Sequence, residues 1–587
     1  MTSTATTSAA VLRHNPASLS DVPVPAADHP VDTAAPGFAH ELLRPRGVTP
    51  VALRVLARRA GVGASVGAGA GAERMLGEDS LVTGVTLDSR AVQRGDLYAA
   101  LPGARVHGAE FIPAAAAAGA TAVLTDARGA AAAGAAGLPA LVVDDPRAVL
   151  GGVAAAVYGD PTRSLTLLGV TGTNGKTTVC YLLEAGLAAA GYRPGLVGTI
   201  ETRVAGRSVP SARTTPEAPE LQAMFAAMLE QGVGAAAMEV SSHALALHRV
   251  DACHFAAAGF TNLSQDHLDF HPTMADYLAA KAELFRPERS ARAVICVDDE
   301  AGRTLLGQRP DAVIVATRTD RTRTDWTGSA ASEPLGSPGA HPQWLAVDLT
   351  VDAHGSAFRL LGPGVDRHVQ LRLPGAFNVS NALVALVVLH EAGVDLDAAV
   401  AGIEQLTGVP GRMERVDAGQ PWLAVVDYAH TPTAVATLLA SVRPLVTGRV
   451  TVVLGCGGDR DRGKRPLMGA AAAEGADLVV LTSDNPRSED PGSIIAAMLE
   501  GVTNIQGAQG VQGGHGAAPA HRAEILTELD RATAIALAVD RARPGDAVVV
   551  AGKGHETGQD TGGTVAPFDD RAVLLDAIVA SGQGAIR

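Results

Sequence analysis

The 587-residue sequence predicts an α/β protein of three domains, and three observations carry the prediction. An apolar run, Leu165 to Val170, reads as a buried strand that enters a glycine-rich turn, then a helix with Val179, Leu182, Leu183 and Leu187 on one face. From about residue 409 to 587, apolar runs alternate with helical stretches, the pattern of a mostly parallel, doubly wound sheet. A shorter alternation over 47–160 predicts a small α/β domain ahead of a central domain at 161–408.

Composition narrows the function. A net charge of −14 with no basic tract argues against a nucleic-acid partner, and no apolar run is long enough to span a bilayer. The four cysteines (Cys180, Cys253, Cys296, Cys456) form no C-x-x-C pair, which suggests neither a disulfide framework nor a zinc site and fits a reducing cytoplasm. Of 47 basic residues only four are lysines: Lys176, Lys281, Lys464 and Lys553. Arginine serves wherever charge suffices, so each lysine is a candidate for work that needs a compact ammonium or a nucleophilic amine.

Residues 1–46 are rich in Ala, Pro, Thr and Ser, lack the pattern of a signal peptide, and read as a disordered tail. The small domain is marked by Val85–Arg90, Gly95–Leu101, an alanine helix at 113–119 and the strand Ala122–Leu124. Within it, Asp88-Ser89-Arg90 reads as a polar turn. In the central domain, Gly169–Thr178 makes a phosphate cradle. Loop amides and the helix N-terminus face an anion, Lys176 reaches terminal phosphates, and the Thr177 hydroxyl can hold Mg²⁺. Val170 stands where the common phosphate loop has its first glycine, yet the combination reads as a nucleotide triphosphate site. The strand 235–240 carries Glu239 at its carboxyl end, suited to Mg²⁺ or, more simply, to solvent. The stretch 260–271 is dense in Asp and His without zinc spacing, so a single histidine assisting Mg²⁺ is the better reading.

Lys281 lies on an amphipathic helix with Tyr277, Leu278, Leu284 and Phe285, where an exposed lysine is the ordinary outcome. Residues 318–343 read as a surface insertion. Asn378 and Asn381 open a long apolar helix, where N-capping is the ordinary role. In the last domain, strands are expected at 423–427, 450–454, 478–482 and 547–551, and helices at about 465–476, 491–502 and 530–542. Beyond the strand ends lie Asp427–His430, Gly455–Arg460, Ser483–Arg487 and Gly552–Glu556, four clusters expected to line one site. A Gly/Gln-rich stretch at 506–517 reads as a flexible insertion.

These residues resemble the Mur ligases, the amide-forming enzymes of peptidoglycan precursor synthesis. The likeness runs over about residues 80–575 and is carried by T-G-T-N-G-K-T-T (171–178), E-V-S-S-H-A-L (239–245), T-N-L-S-Q-D-H-L-D (261–269) and P-G-A-F-N-V-S-N-A-L (374–383). V-P-G-R-M-E-R-V (409–416), D-Y-A-H-T-P (427–432), G-C-G-G-D-R-D-R-G-K-R-P (455–466) and G-K-G-H-E (552–556) complete it. The resemblance implies a small N-terminal UDP-binding domain, a central P-loop ATPase-like domain and a Rossmann-like C-terminal domain. It further implies a monomeric, cytoplasmic enzyme acting on small molecules with ATP and Mg²⁺. Gly172, Thr173, Asn174, Gly175, Lys176, Thr177 and Thr178 would bind ATP, with Asn381, Arg412, Asp427 and His430 reaching across from elsewhere. Glu239, His267 and Lys281 match Mg²⁺ ligands alongside Thr177, and Lys281 matches a lysine that is carbamylated in the family. Leu87 and Ser89 become uridine-site candidates, and Thr214, Thr215, Ser241 and Arg249 match contacts to the muramoyl dipeptide. Leu247 stands where some members carry Gln.

The implied reaction phosphorylates the D-glutamate carboxylate of UDP-N-acetylmuramoyl-L-alanyl-D-glutamate, and the amine of an amino acid then displaces phosphate. The implied acceptor is meso-diaminopimelate. Its distal carboxylate suits Arg487 of Asp484-Asn485-Pro486-Arg487, while Asp484 and Asn485 can accept from its distal ammonium. Arg460, Gly552 and Glu556 match contacts to the same amino acid. A lysine-adding ligase and a non-catalytic UDP-muropeptide binder are the competing readings.

Overall fold

The computed structural model describes residues 43–61, 80–103, 105–317, 342–511 and 523–583. The expected tail over 1–42 and most of the insertion at 318–343 lie outside these residues. Leu43–Arg46, read as tail, are anchored: Leu43 packs on the central core, and Arg44 forms an ion pair with the buried Asp96 at 2.5 Å. The chain builds three principal sheets.

In the first, four parallel strands run in the order Gly84–Thr86, Asp96–Ala100, Ala122–Thr125, Ala140–Val142. The central sheet has eleven strands. Its parallel middle runs Pro194–Val197, Ala235–Glu239, Thr166–Thr171, Ala257–Phe260, Ala293–Cys296, Val313–Thr317, Trp344–Asp352. Antiparallel hairpins extend it at both edges. The inner strands are largely apolar because both faces are covered: one side by the helix Lys176–Ala189 and the mostly apolar helix Ala376–Glu391, the other by Ala218–Glu230.

The third sheet runs Glu414–Arg415, Leu423–Asp427, Ala547–Ala551, Val450–Leu454, Leu478–Leu481, Glu524–Thr527, parallel throughout except for its first strand. Apolar clusters lie on both of its faces, which is the doubly wound arrangement. The helix expected over 491–502 runs on to Val511, so residues 506–511 are helical and not a flexible insertion. Once a helix is nucleated each further residue adds a hydrogen bond, which carries it through a glycine-containing stretch. Residues 512–517 lie outside the described residues.

Asn378 and Asn381 are not N-caps. The helix starts earlier, at Ala376 behind Gly375, whose φ of 104° brings the chain in, and both asparagines are buried within the first turns. No helix among the described residues is long and apolar enough to cross a membrane.

Candidate active site

The strand Thr166–Thr171 delivers the chain into the glycine loop at the carboxyl edge of the central sheet, and Gly175 at φ 88° turns it into the helix Lys176–Ala189. A Cβ on Gly172 would overlap the Thr261 hydroxyl, and one on Gly175 would overlap the Asn381 side chain. Neighbouring segments therefore press on the loop, and only glycine fits. Asn262 clamps it further, its Oδ1 accepting from the Asn174 amide at 3.0 Å and its Nδ2 donating to the Asn174 carbonyl at 3.1 Å. Thr261, Asn262 and Ser264 belong to the T-N-L-S motif but carried no individual role from sequence; their spacing gave no sign that they would brace the loop.

Glu239 is fully buried at its strand end. It accepts from the Thr177 hydroxyl at 3.1 Å, the Thr199 hydroxyl at 3.0 Å and the Thr199 amide at 2.7 Å. It is not a solvated strand-end acid. Lys281 is likewise no surface residue: it is 1 % exposed, its Nζ lies 4.3 Å from the Tyr277 ring centroid and donates to the Gly172 carbonyl at 2.8 Å. Lys176 donates to the same carbonyl at 3.0 Å and to that of Thr173 at 2.9 Å. Burial and then the Lys176 charge hold Lys281 well below the usual lysine range. His267 sits beside Tyr277 and His243, and burial holds its imidazole neutral, down at about 4.

Residues from the C-terminal part reach this loop. Arg412 Nη2 donates to the Thr177 hydroxyl at 3.1 Å, and its guanidinium stacks 4.5 Å from the Tyr428 ring centroid. His430 Nε2 lies 4.0 Å from Asp266, and Lys464 donates to the His430 carbonyl at 2.9 Å. Asp427 accepts from the Met413 and Ala429 amides, and burial raises its pKa.

Thr215 accepts from the Ser241 amide and donates to the Glu239 carbonyl, while Thr214 meets Thr199 at 3.0 Å. Ser241 caps the short helix Ser242–Ala246. Arg249 donates to the Thr215 carbonyl at 3.2 Å and pairs with Glu217 at 2.9 Å. These four therefore gather beside the end of the Glu239 strand. Leu87 and Ser89 stay on the first sheet, just past Gly84–Thr86, where Leu87 packs on the domain core and Arg90 folds back on Asp88 in a polar turn.

The four clusters of the third sheet do converge. Gly552 donates to the Asp427 carbonyl, Arg487 Nη1 to the Gly458 carbonyl at 2.5 Å, and Asn485 Nδ2 to Glu556 at 2.8 Å. Pro486 and Arg487 follow in the same turn, Arg487 at φ 53°, and Arg460 is exposed at the rim. Asn485 does not match its expected role. Its Oδ1 accepts from Lys553 Nζ and from the Asp560 amide, both at 3.0 Å, which occupies both lone pairs and leaves none for a ligand ammonium. The hairpin Gly558–Thr561 and Thr564–Pro567, which had no sequence reading, braces this turn: Gln559 donates to the Asp484 carbonyl and Arg487 to that of Asp560.

Fold and loop define a phosphate-loop α/β protein whose C-terminal sheet reaches over the loop. Comparison with known proteins narrows this. Residues 81–158 match the model described as "Mur ligase family, catalytic domain", 170–389 "Mur ligase middle domain", and 411–554 "Mur ligase, glutamate ligase domain". The chain is 52% identical over 503 residues to the UDP-N-acetylmuramoyl-L-alanyl-D-glutamate–2,6-diaminopimelate ligase of Streptomyces avermitilis, covering 85% of this chain and 93% of that one. It is 53% identical over 499 residues to the protein of the same name from Streptomyces coelicolor, with 85% and 92% covered. A solved structure of a protein so named aligns with a TM-score of 0.60 at 31% identity, over 91% of this chain and 100% of that chain. The chain belongs to the Mur ligase family.

Proposed function

We propose that this chain is an ATP-dependent amide ligase of peptidoglycan precursor synthesis. It joins meso-diaminopimelate to the D-glutamate carboxylate of UDP-N-acetylmuramoyl-L-alanyl-D-glutamate through an acyl phosphate. The observation that carries the reading is the meeting of Glu239, Lys281 and Arg412 at one phosphate loop, from stretches far apart in the chain. It agrees with the name borne by relatives about half identical over most of the chain.

The residues fit ATP and Mg²⁺. Glycines at 172 and 175 let Thr261 and Asn381 pack closely against the loop, and Glu239 with Thr177 offers hard oxygen donors. No group of three or more His, Cys, Asp or Glu that could hold a metal ion occurs among the described residues. Phosphate oxygens completing the shell suit such a site, as does a carboxylate made on Lys281. Burial and the Lys176 charge hold the Lys281 pKa well below the usual lysine range, which favours the free amine that would attack CO₂: a C–N bond forms, a proton leaves and a carbamate remains. Thr177, Glu239, neutral His267 and carbamylated Lys281 would hold Mg²⁺, which when bound supplies charge neutralisation to the phosphates.

Residues 172–178 cradle the phosphates, and Lys176 faces the transferring phosphoryl group. Asn381, Arg412, Asp427 and His430 complete the nucleotide contacts, and Arg412 tests whether the C-terminal domain is closed. Leu87 and Ser89 hold the uridine end. Thr214, Thr215, Ser241 and Arg249 hold the dipeptide, with Thr215 fixed to the Glu239 strand so that the carboxylate meets the phosphate. Arg460, Asp484, Asn485, Pro486, Arg487, Gly552 and Glu556 form the acceptor pocket. The reaction is placed in the cytoplasm with the chain acting as a monomer, and the four free, buried cysteines suit a reducing compartment. The test is phosphate release: it should require ATP, muropeptide and diaminopimelate together and yield a product heavier by one diaminopimelyl residue. Phosphate release indifferent to the muropeptide would contradict the reading.

A further inference from the structure

Lys553 is one of only four lysines, it is fully buried, and the reading above gives it no task. Its ammonium sits between two acceptors, 3.0 Å from Asn485 Oδ1 and 3.0 Å from Glu556 Oε2. Asn485 Nδ2 closes the triangle on the same Glu556 oxygen at 2.8 Å. The Asp560 amide fixes which end of the Asn485 amide is oxygen, so the orientation follows from the backbone. Glu556 thus has Oε2 pinned between two donors, while Oε1 makes no hydrogen bond among the described residues. The Glu556 side chain is 32% exposed, against 0% for that of Lys553, so its unpinned oxygen lies on the open side of the cluster.

We propose that Lys553 is a positioning residue of the acceptor pocket. Its ammonium holds Glu556 and Asn485 so that Glu556 Oε1 receives the distal ammonium of an incoming amino acid whose far end carries both ammonium and carboxylate. The proposal rests on the ligase reading and deepens it. Glu556 takes the ammonium, Arg487 the carboxylate, and Asn485 serves as a strut between them. A neutral side chain at 553 would leave Glu556 free to swing and Asn485 with a lost donor, loosening the ammonium half of the pocket. A guanidinium would not reproduce the triangle, because its planar fork cannot place one compact donor group against both acceptors.

The test separates the two half-reactions. Hydroxylamine attacks an acyl phosphate at carbon: a C–N bond forms, the C–O bond to phosphate breaks, and nitrogen sheds a proton to leave a hydroxamate. It needs no acceptor pocket. With Lys553→Met and Lys553→Gln, the KM for meso-diaminopimelate should rise about tenfold or more, while hydroxamate yield and the KM for ATP and muropeptide stay within about twofold of the parent. An unchanged acceptor KM overturns the proposal. So does a parallel loss of hydroxamate and ligation in both variants, misfolding included, because Lys553 then serves the fold. Absence of hydroxamate from the parent enzyme would strike the ligase reading itself, a separable result.

Discussion

Lys176 and Lys281 donate to the same Gly172 carbonyl, an arrangement that two full positive charges would resist. The conflict is resolved if Lys281 is neutral, and a neutral buried amine is the form that reacts with CO₂. Lys281→Arg should therefore keep the charge and the fold but lower ligation by about a hundredfold or more, since no carboxylate can form there. Ligation rate and melting temperature measured together check this, and parent-like turnover would refute it. At this scale the site was legible wherever chemistry demanded a rare residue, as with the lysines and the acid closing an apolar strand. Burial was not: the amphipathic helix around Lys281 reads like that of a surface lysine, because the Gly172 carbonyl it meets lies 109 residues away. Asn485 was misassigned for the same reason, its oxygen being filled by Lys553 and Asp560, 68 and 75 residues away.

The helix Lys176–Ala189 is tied to the edge hairpin Glu201–Val204 and Arg207–Pro210 by a network that no motif announced. Arg203 pairs with Glu184 at 2.7 Å and with Glu201, Tyr181 donates to Glu201 at 2.5 Å, and Ser208 bonds Glu201 as well. One guanidinium serves two carboxylates. Burial, ahead of the opposing Arg203 charge, pushes Glu184 up from 4.5 to about 7. The folded carboxyl thus keeps its proton to about pH 7 while the unfolded one releases it near 4.5, so stability falls as pH rises across that window. Glu184→Gln lacks this loss. Its stability relative to the parent should grow by on the order of 2 kcal/mol from pH 4.5 to 7, then level off. Urea denaturation across that range measures it, and a pH-independent difference would contradict the assignment. Elements buried on both faces were the readable ones: strands 423–427, 450–454 and 547–551 match residue for residue, because a parallel strand under two helix layers is apolar throughout. Edge strands such as Glu524–Thr527 and the hairpin at 558–567 are half exposed or exposed and carry no such run.

Across the whole molecule, the three sheets are joined by apolar packing, as of Ala223 in the first-domain core and Phe377 on the C-terminal one, and by long-range polar contacts. Arg147 of the first domain donates to Glu217 of the central one at 3.1 Å, and Arg412 reaches Thr177 from the C-terminal one. Residues 1–42 carry no periodic apolar pattern in the sequence, so deleting them should leave the melting temperature unchanged. Extending the deletion through Arg46 removes the Arg44 ion pair from buried Asp96, whose carboxylate keeps the Gln93 amide, and should cost about 1–3 kcal/mol. Equal melting of the two truncations would show that the Arg44 contact carries nothing. The function of the assembly rests on the acceptor. Lysine has no distal carboxylate and would leave Arg487 facing an empty pocket, a loss of several kcal/mol where water is excluded. The decisive measurement is ATP-dependent phosphate release with meso-diaminopimelate against L-lysine, for the parent and for Arg487→Ala. Fast release with diaminopimelate, very little with lysine, and collapse of that preference in Arg487→Ala with ATP binding intact are the expected result. Equal rates with both amino acids, or a preference for lysine, would contradict it.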